Sequence, residues 1–352
     1  MPDGVELAVW DVEQPFDRPD EVAITLLPFY FGGRHRWQFV HDLPNLELLQ
    51  LPSAGYEHAV PHVPGHALLA NGRGIHDDET AELAVGLALT SLRELGAFQA
   101  DRANGVWDAR TTRSLADRRV TVVGYGAIGS AIASRFEAFR TEVTVVARTA
   151  REQDGRQVHG FDELPALAAT TDVLVLITPL TDETERLVDA ELLAALPDGA
   201  LVVNVARGKV VDTDALVAEL RSGRLSAALD VTDPEPLPAG HPLWTTPNTV
   251  LTPHVGGNTD LSVPRSIELV RRQVAALVER RPFENVIERC RPERAGRWPE
   301  RAGRWPERSG RWPERAGRRP EPGGRRTSAA CRQRTGSAIP RLGATSSKPR
   351  DR

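Results

Sequence analysis

The chain has 352 residues, with 44 Lys and Arg against 48 Asp and Glu and a formal net charge of −4. That length allows two domains, because single hydrophobic cores stop growing at roughly 250–300 residues. The charge is divided unevenly: residues 288–352 hold 19 basic and 7 acidic residues, whereas residues 1–287 hold 25 basic and 41 acidic. Such an acidic body does not favour nucleic-acid binding, and no apolar run reaches the ~18–20 residues that a membrane-spanning helix needs.

Cysteine use and the first residues bear on redox chemistry and location. Both cysteines, Cys290 and Cys331, follow residue 287. The body therefore has no disulfide, thiolate nucleophile or thiolate metal site. The first residues, MPDGVELAVWDVEQPFD, are acidic and lack the basic and apolar regions of a secretory signal, so we expect a cytoplasmic protein.

The first predicted elements are short strands followed by a long helix. Apolar runs in ELAVWD (6–11), VAITLLP (22–28) and LELLQLPSAG (46–55) predict three strands. Residues 77–95 have the apolar spacing of an amphipathic helix. This helix would lead into the next part of the chain.

From about residue 83 to residue 255, short apolar runs alternate with helical patterns such as AIGSAIASRFEAF (127–139). Near-continuous Val, Leu and Ile runs separated by helices are typical of a parallel sheet covered on both faces. The sequence therefore predicts an α/β fold with a doubly wound parallel sheet of the Rossmann type. The predicted strands are RRVTVVGYG (118–126), EVTVVAR (142–148), DVLVLITP (172–179), ALVVNVAR (200–207), SAALDV (226–231) and TVLTPH (249–254).

A predicted helix over residues 259–281 could cross back to the N-terminal strands, which would place the Rossmann domain inside a smaller domain built from both ends of the body.

From Arg291 a seven-residue unit repeats with Pro at the same place, as in WPERAGR, which rules out a coiled coil and predicts a disordered tail. Interleaved Arg and Trp are the one feature that could contact nucleic acid. The predicted segments are 1–95 and 258–287 for the smaller domain, 96–257 for the Rossmann domain and 288–352 for the basic tail.

The glycine pattern GYGAIG predicts a dinucleotide site. Gly124, Gly126 and Gly129 form G-x-G-x-x-G directly after a predicted strand and at the start of a predicted helix. In that setting the glycines allow a tight turn and close approach of a pyrophosphate to the N–H groups of the helix N-terminus.

The end of the next strand bears on the choice between NAD and NADP. An NAD enzyme usually has Asp or Glu there to bind the ribose hydroxyls, but this chain has Ala147, Arg148 and Thr149, with Arg151 close behind. A cation and a hydroxyl suit a 2′-phosphate, which favours NADP. The alternative is that NAD binds and Arg148 stacks on the adenine or lies in solvent.

Three charged or titratable residues follow three later strands. Arg207 comes after ALVVNVA, Glu235 lies in a Pro-rich loop after SAALDV, and His254 ends TVLTPH. Ligands bind at the carboxyl ends of strands in open α/β sheets, and a guanidinium there can grip a carboxylate with two N–H groups. Their positions predict a catalytic site.

The chain resembles the D-isomer-specific 2-hydroxyacid dehydrogenase family over roughly residues 45–287. The matching motifs, in the family's order, are LPSAGYE (51–57), NGRGIHDDETAEL (71–83), GYGAIG (124–129), PLTDETERLVD (179–189), NVARGKVVDTDAL (204–216), ALDVTDPEP (228–236), HPLW (241–244) and TPHVGG (252–257). The resemblance implies that the smaller domain is a flavodoxin-like α/β substrate domain. It also implies a homodimer that acts on a small 2-oxo or 2-hydroxy acid.

The resemblance also implies roles for single residues. Arg207 would bind the substrate carboxylate, His254 would protonate the carbonyl oxygen as hydride arrives, and Glu235 would keep the imidazole protonated. The N–H groups of Ala54 and Gly55 would hold the other face of the carboxylate, and Asp230 would face the nicotinamide. The expected cofactor-binding residues are Gly124, Gly126, Ala127, Ile128, Gly129, Arg148, Thr149, Thr178, Pro179, Thr184, Val205, Ala206, Asp230 and Gly256.

Glyoxylate and hydroxypyruvate are the expected substrates, and two alternatives stay open. One is a dehydrogenase of the phosphoglycerate type, disfavoured because no regulatory domain follows the body. The other is a nucleotide-sensing transcriptional corepressor that contacts its partner through the tail, which the presence of Arg207, Glu235 and His254 disfavours.

One departure from the family is Arg140 in place of the usual glycine after the first Rossmann helix, where a left-handed turn would be strained. No metal site is expected, because two prolines interrupt the spacing of His58, His62 and His66.

Overall fold

The computed structural model describes residues 2, 4–10, 12, 14–27 and 34–287, and it contains two sheets. In the smaller sheet three parallel strands lie side by side in chain order: β1 (Ile24–Leu26), β2 (Leu48–Gln50) and β3 (Leu68–Ala70). Helix α1 (Arg34–His41) lies between β1 and β2 along the chain. Leu48 and Leu49 are both fully buried, because the central strand is covered on both faces.

The larger sheet has eight strands in the described part of the chain. They are β4 (Arg119–Val123), β5 (Glu142–Val146), β6 (Arg151–Gln153), β7 (Arg156–His159), β8 (Val173–Leu176), β9 (Leu201–Asn204), β10 (Ser226–Leu229) and β11 (Thr249–Leu251). Their order across the sheet is β11-β10-β9-β8-β4-β5-β7-β6, and β6 alone pairs antiparallel, with β7. After β4 the chain builds the strands of one edge of the sheet, and from β8 onward it builds the strands of the other edge. The strand order therefore reverses between the neighbouring strands β4 and β8, and ligands bind beside the carboxyl ends of strands at such a switch point.

Helices and two apolar clusters cover the larger sheet. Val173 and Val175 of β8 point into one cluster, whereas Leu174 and Leu176 point into the other, because successive side chains of a strand alternate between faces. This burial on both faces explains the continuous apolar runs of the sequence. The remaining helices are α2 (Asp77–Leu92), α3 (Leu95–Ala103), α4 (Ala127–Glu137), α5 (Leu164–Ala168), α6 (Ala190–Ala195), α7 (Thr213–Ser222) and α8 (Ser262–Glu279).

The α/β fold class with a large, mainly parallel sheet is confirmed. The segment that follows the large sheet returns to the small one: the buried Gln273 of α8 donates to Gln50 Oε1 at 2.8 Å, and Val286 forms a β-bridge with Ala70. The boundaries at residues 95, 257 and 287 stay predictions. The predicted tail, residues 288–352, lies outside the described residues.

Three predicted elements need correction. Described residues 5–10 form no strand, and Leu7 and Val9 are exposed, because no strand of the small sheet pairs with this segment. The helix predicted over 77–95 ends at Leu92, and a second helix, α3, begins at Leu95. The last predicted helix begins at Ser262 rather than at residue 259. No helix among the described residues is long and apolar enough to cross a membrane.

Candidate active site

The glycine turn between β4 and α4 has little room at two positions and open space at the third. Gly124 has a φ of +110°, and a Cβ atom there would meet the carbonyl oxygen of Ile177. A Cβ on Gly129 would overlap the carbonyl oxygen of Gly124, whereas Gly126 has nothing within 4 Å. Gly126 is the N-cap of α4, and no side chain caps the helix. An open, uncapped helix N-terminus fits a pyrophosphate, with Ala127 and Ile128 in its first turn.

The carboxyl ends of β8 and β9 lie next to this turn in the sheet order. Thr178 follows β8 and is only 4% exposed, and its Oγ1 has no hydrogen-bond partner among the described residues. Val205 and Ala206, after β9, are buried. An unpaired buried hydroxyl beside apolar residues fits a bound ligand that supplies the missing partner. These residues and the glycine turn therefore fit a dinucleotide.

The loop after β8 is closed by Thr184. Its buried Oγ1 donates to the carbonyl oxygen of Pro179 at 2.7 Å and accepts from the N–H of Thr181 at 2.8 Å. Thr184 therefore shapes the loop that carries Pro179, and its hydroxyl is already engaged within that loop.

The end of β5 has two guanidinium groups. The Arg148 Nε lies 2.7 Å from Glu183 Oε2, with both side chains about half exposed, and Thr149 is exposed. The Arg151 Nη2 donates to the carbonyl oxygen of Tyr125 at 3.1 Å, within the glycine turn. The sequence analysis did not predict the pairing with Glu183, because that residue comes from the loop after β8.

Arg207 extends from a short turn that Asn204 holds in place. The buried Asn204 side chain accepts from the N–H of Ala206 and donates to the carbonyl oxygen of Arg207, both at 3.0 Å. The guanidinium Nη1 donates to the carbonyl oxygen of Ala206 at 2.6 Å. Asn204 ends β9 and therefore fixes the direction in which Arg207 leaves the sheet.

The guanidinium of Arg207 lies against the turn that contains Ala54 and Gly55. A Cβ on Gly55 would overlap Arg207 Nη2, so the guanidinium occupies the space that a side chain at residue 55 would take. The Asn71 Nδ2 donates to the carbonyl oxygen of Ala54 at 2.8 Å, and the Ser53 hydroxyl donates to that of Gly55 at 2.7 Å. Among the described residues the N–H groups of Ala54 and Gly55 have no acceptor. The structure therefore brings together the three residues predicted to bind a carboxylate.

Glu57 belongs to the same cluster and was missed by the sequence analysis. Its Oε1 accepts from Arg207 Nε at 2.6 Å, and its Oε2 accepts from the N–H of Tyr56 at 2.9 Å. Burial raises the pKa of the Glu57 carboxyl, but the charge of Arg207, a hydrogen bond from the backbone of Glu57 and the hydrogen bond from Arg207 outweigh burial and hold the pKa below its ordinary value. Glu57 is therefore ionised at neutral pH. Separation by 150 residues left no local pattern from which the pair could be predicted.

His254 and Glu235 form a hydrogen-bonded pair. His254 Nδ1 lies 2.6 Å from Glu235 Oε1, and the side chains are 41% and 39% exposed. Burial raises the pKa of Glu235, but the hydrogen bond and charge of His254, with a smaller effect of Arg207, hold it below its ordinary value. A carboxylate that accepts from Nδ1 leaves Nε2 as the nitrogen that faces a ligand.

Asp230 fixes the loop that carries His254. Its buried carboxylate accepts from the Thr252 hydroxyl at 2.6 Å and from the N–H groups of Val255 and Gly256 at 2.9 Å. The N–H of His254 donates to the carbonyl oxygen of Asp230 at 2.7 Å, and His254 has a φ of +53°. These bonds hold a left-handed backbone conformation that is uncommon for residues other than glycine.

The three loop histidines have other contacts. The ring of His62 stacks on that of Trp37, with centroids 4.7 Å apart, and His66 Nε2 lies 3.1 Å from the carbonyl oxygen of Leu43. His58 lies beside Glu57 and is exposed. Among the described residues no group of His, Cys, Asp and Glu could hold a metal ion.

The arrangement can bind a carboxylate and move a proton at the same edge of the sheet. Arg207, Glu235 and His254 follow the neighbouring strands β9, β10 and β11, whose carboxyl ends point the same way. The glycine turn follows β4, on the other side of β8. A carboxylate anchor, a proton donor and a dinucleotide turn together suit a redox reaction at a carbon next to a carboxylate.

Comparison with known proteins gives the same indication. Residues 85–256 match the NAD binding domain of the D-isomer specific 2-hydroxyacid dehydrogenases. The human glyoxylate reductase/hydroxypyruvate reductase is 35% identical over 225 residues, which is 61% of this chain and 69% of that protein. A glyoxylate reductase of Thermofilum pendens is 34% identical over 250 residues, 67% of this chain and 73% of that protein.

A solved structure shares the fold. The D-isomer specific 2-hydroxyacid dehydrogenase from Xanthobacter autotrophicus Py2, in complex with NADPH and MES, superposes with a TM-score of 0.68 at 31% sequence identity. The match covers 78% of this chain and 86% of that one.

Proposed function

The chain belongs to the D-isomer specific 2-hydroxyacid dehydrogenase family, and we propose that it reduces a small 2-oxo acid, glyoxylate or hydroxypyruvate, to the D-2-hydroxy acid. As a member of that family it is an NAD(P)-dependent oxidoreductase. The observation that carries the proposal is the placement of the Arg207 guanidinium against Gly55, with the His254–Glu235 pair two strands away in the same sheet.

The Arg207 guanidinium binds the substrate carboxylate. The N–H groups of Ala54 and Gly55 donate hydrogen bonds to the opposite face of the same carboxylate. His254 Nε2 donates a proton to the carbonyl oxygen, while Glu235 holds Nδ1 and stabilises the imidazolium. The bound nicotinamide supplies the hydride that reduces the carbonyl carbon. In the reverse direction His254 accepts the proton of the hydroxyl group.

NADP(H) is the proposed preferred cofactor, with the 2′-phosphate bound by Arg148 and Thr149. Support comes from the lack of Asp or Glu at residues 147–151 and from the NADPH in the Xanthobacter structure. Glu183 would have to share Arg148 with the phosphate, since the two side chains are paired. The other proposed cofactor contacts lie in the glycine turn and at Thr178, Pro179, Thr184, Val205, Ala206, Asp230 and Gly256.

The names of the human and Thermofilum relatives support glyoxylate and hydroxypyruvate as substrates. A single-carboxylate substrate also suits a site in which one guanidinium, Arg207, contacts the turn at residues 54–55. The cytoplasmic location and the homodimer stay predictions.

Replacing His254 by Ala tests the proposal. Loss of the proton donor should lower kcat for glyoxylate reduction by about 10²- to 10⁴-fold, the usual contribution of a general acid, while the Kd for NADPH changes less than about twofold. The exposed His41 offers a matched control, and His41→Ala should keep both values. An unchanged kcat in His254→Ala would show that another group donates the proton.

A further inference from the structure

The ion pair between Glu57 and Arg207 connects the segment between β2 and β3 of the small sheet to the proposed substrate site. Each side chain is 27% exposed, so the pair is largely shielded from water, and Nε lies 2.6 Å from Oε1. The second carboxylate oxygen does not bind the guanidinium; it accepts the N–H of Tyr56 instead. Glu57 is thus fixed at both oxygens, and it holds Arg207 at one defined atom.

The remaining contacts of Arg207 complete this hold. An arginine side chain has five N–H bonds in a planar fork. Glu57 takes the Nε–H, and the carbonyl oxygen of Ala206 takes one N–H of Nη1. Two N–H bonds on Nη2 and one on Nη1 are left, and Nη2 is the atom that lies against Gly55.

We infer that Glu57 is a positioning residue for substrate binding, which orients Arg207 so that its Nη edge faces the carboxylate of the 2-oxo acid. This inference rests on the proposed function. A guanidinium can bind a carboxylate with two N–H bonds through either its Nη1–Nη2 edge or its Nε–Nη2 edge. Because Glu57 occupies Nε, the Nη edge is the one available, and its Nη2 atom lies against Gly55.

A purely structural role for Glu57 makes a different prediction. Its bond to Tyr56 N–H stabilises the turn at residues 53–57, and loss of that bond would affect folding of the small-sheet region as a whole. Loss of the Arg207 contact would instead weaken binding of the substrate carboxylate. The glycine turn between β4 and α4 would be unchanged. Glutamine can replace one of the two contacts, because its amide oxygen can accept from Nε.

The test compares Glu57→Ala and Glu57→Gln with Glu47→Ala, an exposed glutamate of the same region that has no ion pair among the described residues. Five quantities are measured: KM and kcat for glyoxylate, the Kd of oxalate by calorimetry in the presence of NADPH, the Kd of NADPH, and the Tm. Glu57→Ala should raise both KM and the oxalate Kd by about tenfold or more, the effect of losing a charge-assisted hydrogen bond, whereas Glu57→Gln should recover part of the loss. In both variants the Kd of NADPH should stay within about twofold of wild type.

Several results would overturn the inference. One is an unchanged KM and oxalate Kd in Glu57→Ala, and another is an equal rise of KM and oxalate Kd in Glu57→Ala and Glu57→Gln. A third is weaker NADPH binding and a lower Tm that accompany the rise in KM. The last is wild-type protein that does not bind oxalate. A wild type that binds oxalate but does not turn over glyoxylate would count against the proposed function alone, because the oxalate titration would still test Glu57.

Discussion

The His254 imidazole depends on one carboxylate for its orientation. Glu235 accepts from Nδ1 at 2.6 Å and is ionised at neutral pH, since its pKa lies below the ordinary value. The left-handed backbone of His254 and the bonds of Asp230 fix the loop from the other side. The side chain is therefore held by its ring and by its backbone.

Glu235→Gln should shift the pH dependence of reduction downward. In the proposed mechanism reduction requires a protonated imidazole. The charge of His254 lowers the pKa of Glu235, and the same attraction favours the imidazolium, so removing the negative charge should make the activity fall at a lower pH. The measurement is kcat/KM for glyoxylate against pH in wild type and variant. Glu191→Gln, an exposed carboxyl on α6, is the control and should keep the wild-type profile. A coincident profile for Glu235→Gln would remove Glu235 from its proposed role.

From the sequence, the candidate residues that follow strands could be placed at one edge of the sheet, but the charged residues that contact them from distant segments could not be identified. Arg207, Glu235 and His254 each follow an apolar run, so their common edge could be derived from the parallel sheet. Glu57 and Glu183 reach the site through contacts between distant segments. No periodicity in a sequence encodes which loop a charged side chain will meet.

Helices α2, α4 and α8 are connected by charged side chains. Asp78 of α2 accepts from Arg135 of α4 at 2.7 Å and from Arg265 of α8 at 2.9 Å. Arg265 also pairs at 2.8 Å with Glu79, whose side chain is 2% exposed. A buried carboxylate of this kind depends on its partner, because an unpaired charge in the interior is costly.

Arg265→Ala should therefore lower the free energy of unfolding by about 3 kcal/mol, as expected when one partner of a buried ion pair is removed. Arg272 of α8 provides the comparison: it pairs with Glu284 at 3.1 Å, but its side chain is 47% exposed. Arg272→Ala should cost less than about 1 kcal/mol, since exposed ion pairs contribute little. Urea unfolding of both variants measures the difference, and equal losses would contradict a special role for Arg265.

The strands that were predicted correctly are those in which burial on both faces gives a continuous run of apolar residues. The valine-rich strands β4, β5, β8 and β9 were predicted because both faces of each are covered by helices. The polar strands β6 and β7, REQ and RQVH, carry no such pattern and were missed. Arg140 has a φ of +63°, as its place after the first Rossmann helix predicted. ELAVW is apolar but has no neighbouring strand in the described part of the chain, which no local pattern could reveal.

The whole molecule combines a large sheet that holds the proposed cofactor and acid–base groups with a small sheet that supplies the turn at Ala54 and Gly55. Arg207 joins the two, because it leaves β9 and contacts Gly55 and Glu57. Helix α8 and the following residues return to the small sheet through Gln273 and Val286. In the proposed mechanism, binding of the substrate carboxylate therefore depends on the contact between the two sheets.

The most direct test of the account is the loss of reduced-nicotinamide absorbance when purified wild-type protein is mixed with glyoxylate or hydroxypyruvate. NADPH and NADH are each supplied in parallel. We expect both acids to be reduced, with a higher kcat/KM for NADPH because Arg148 and Thr149 bind the 2′-phosphate. A preference for NADH would contradict the cofactor proposal alone. If neither cofactor is oxidised with either acid, the protein is not a glyoxylate or hydroxypyruvate reductase.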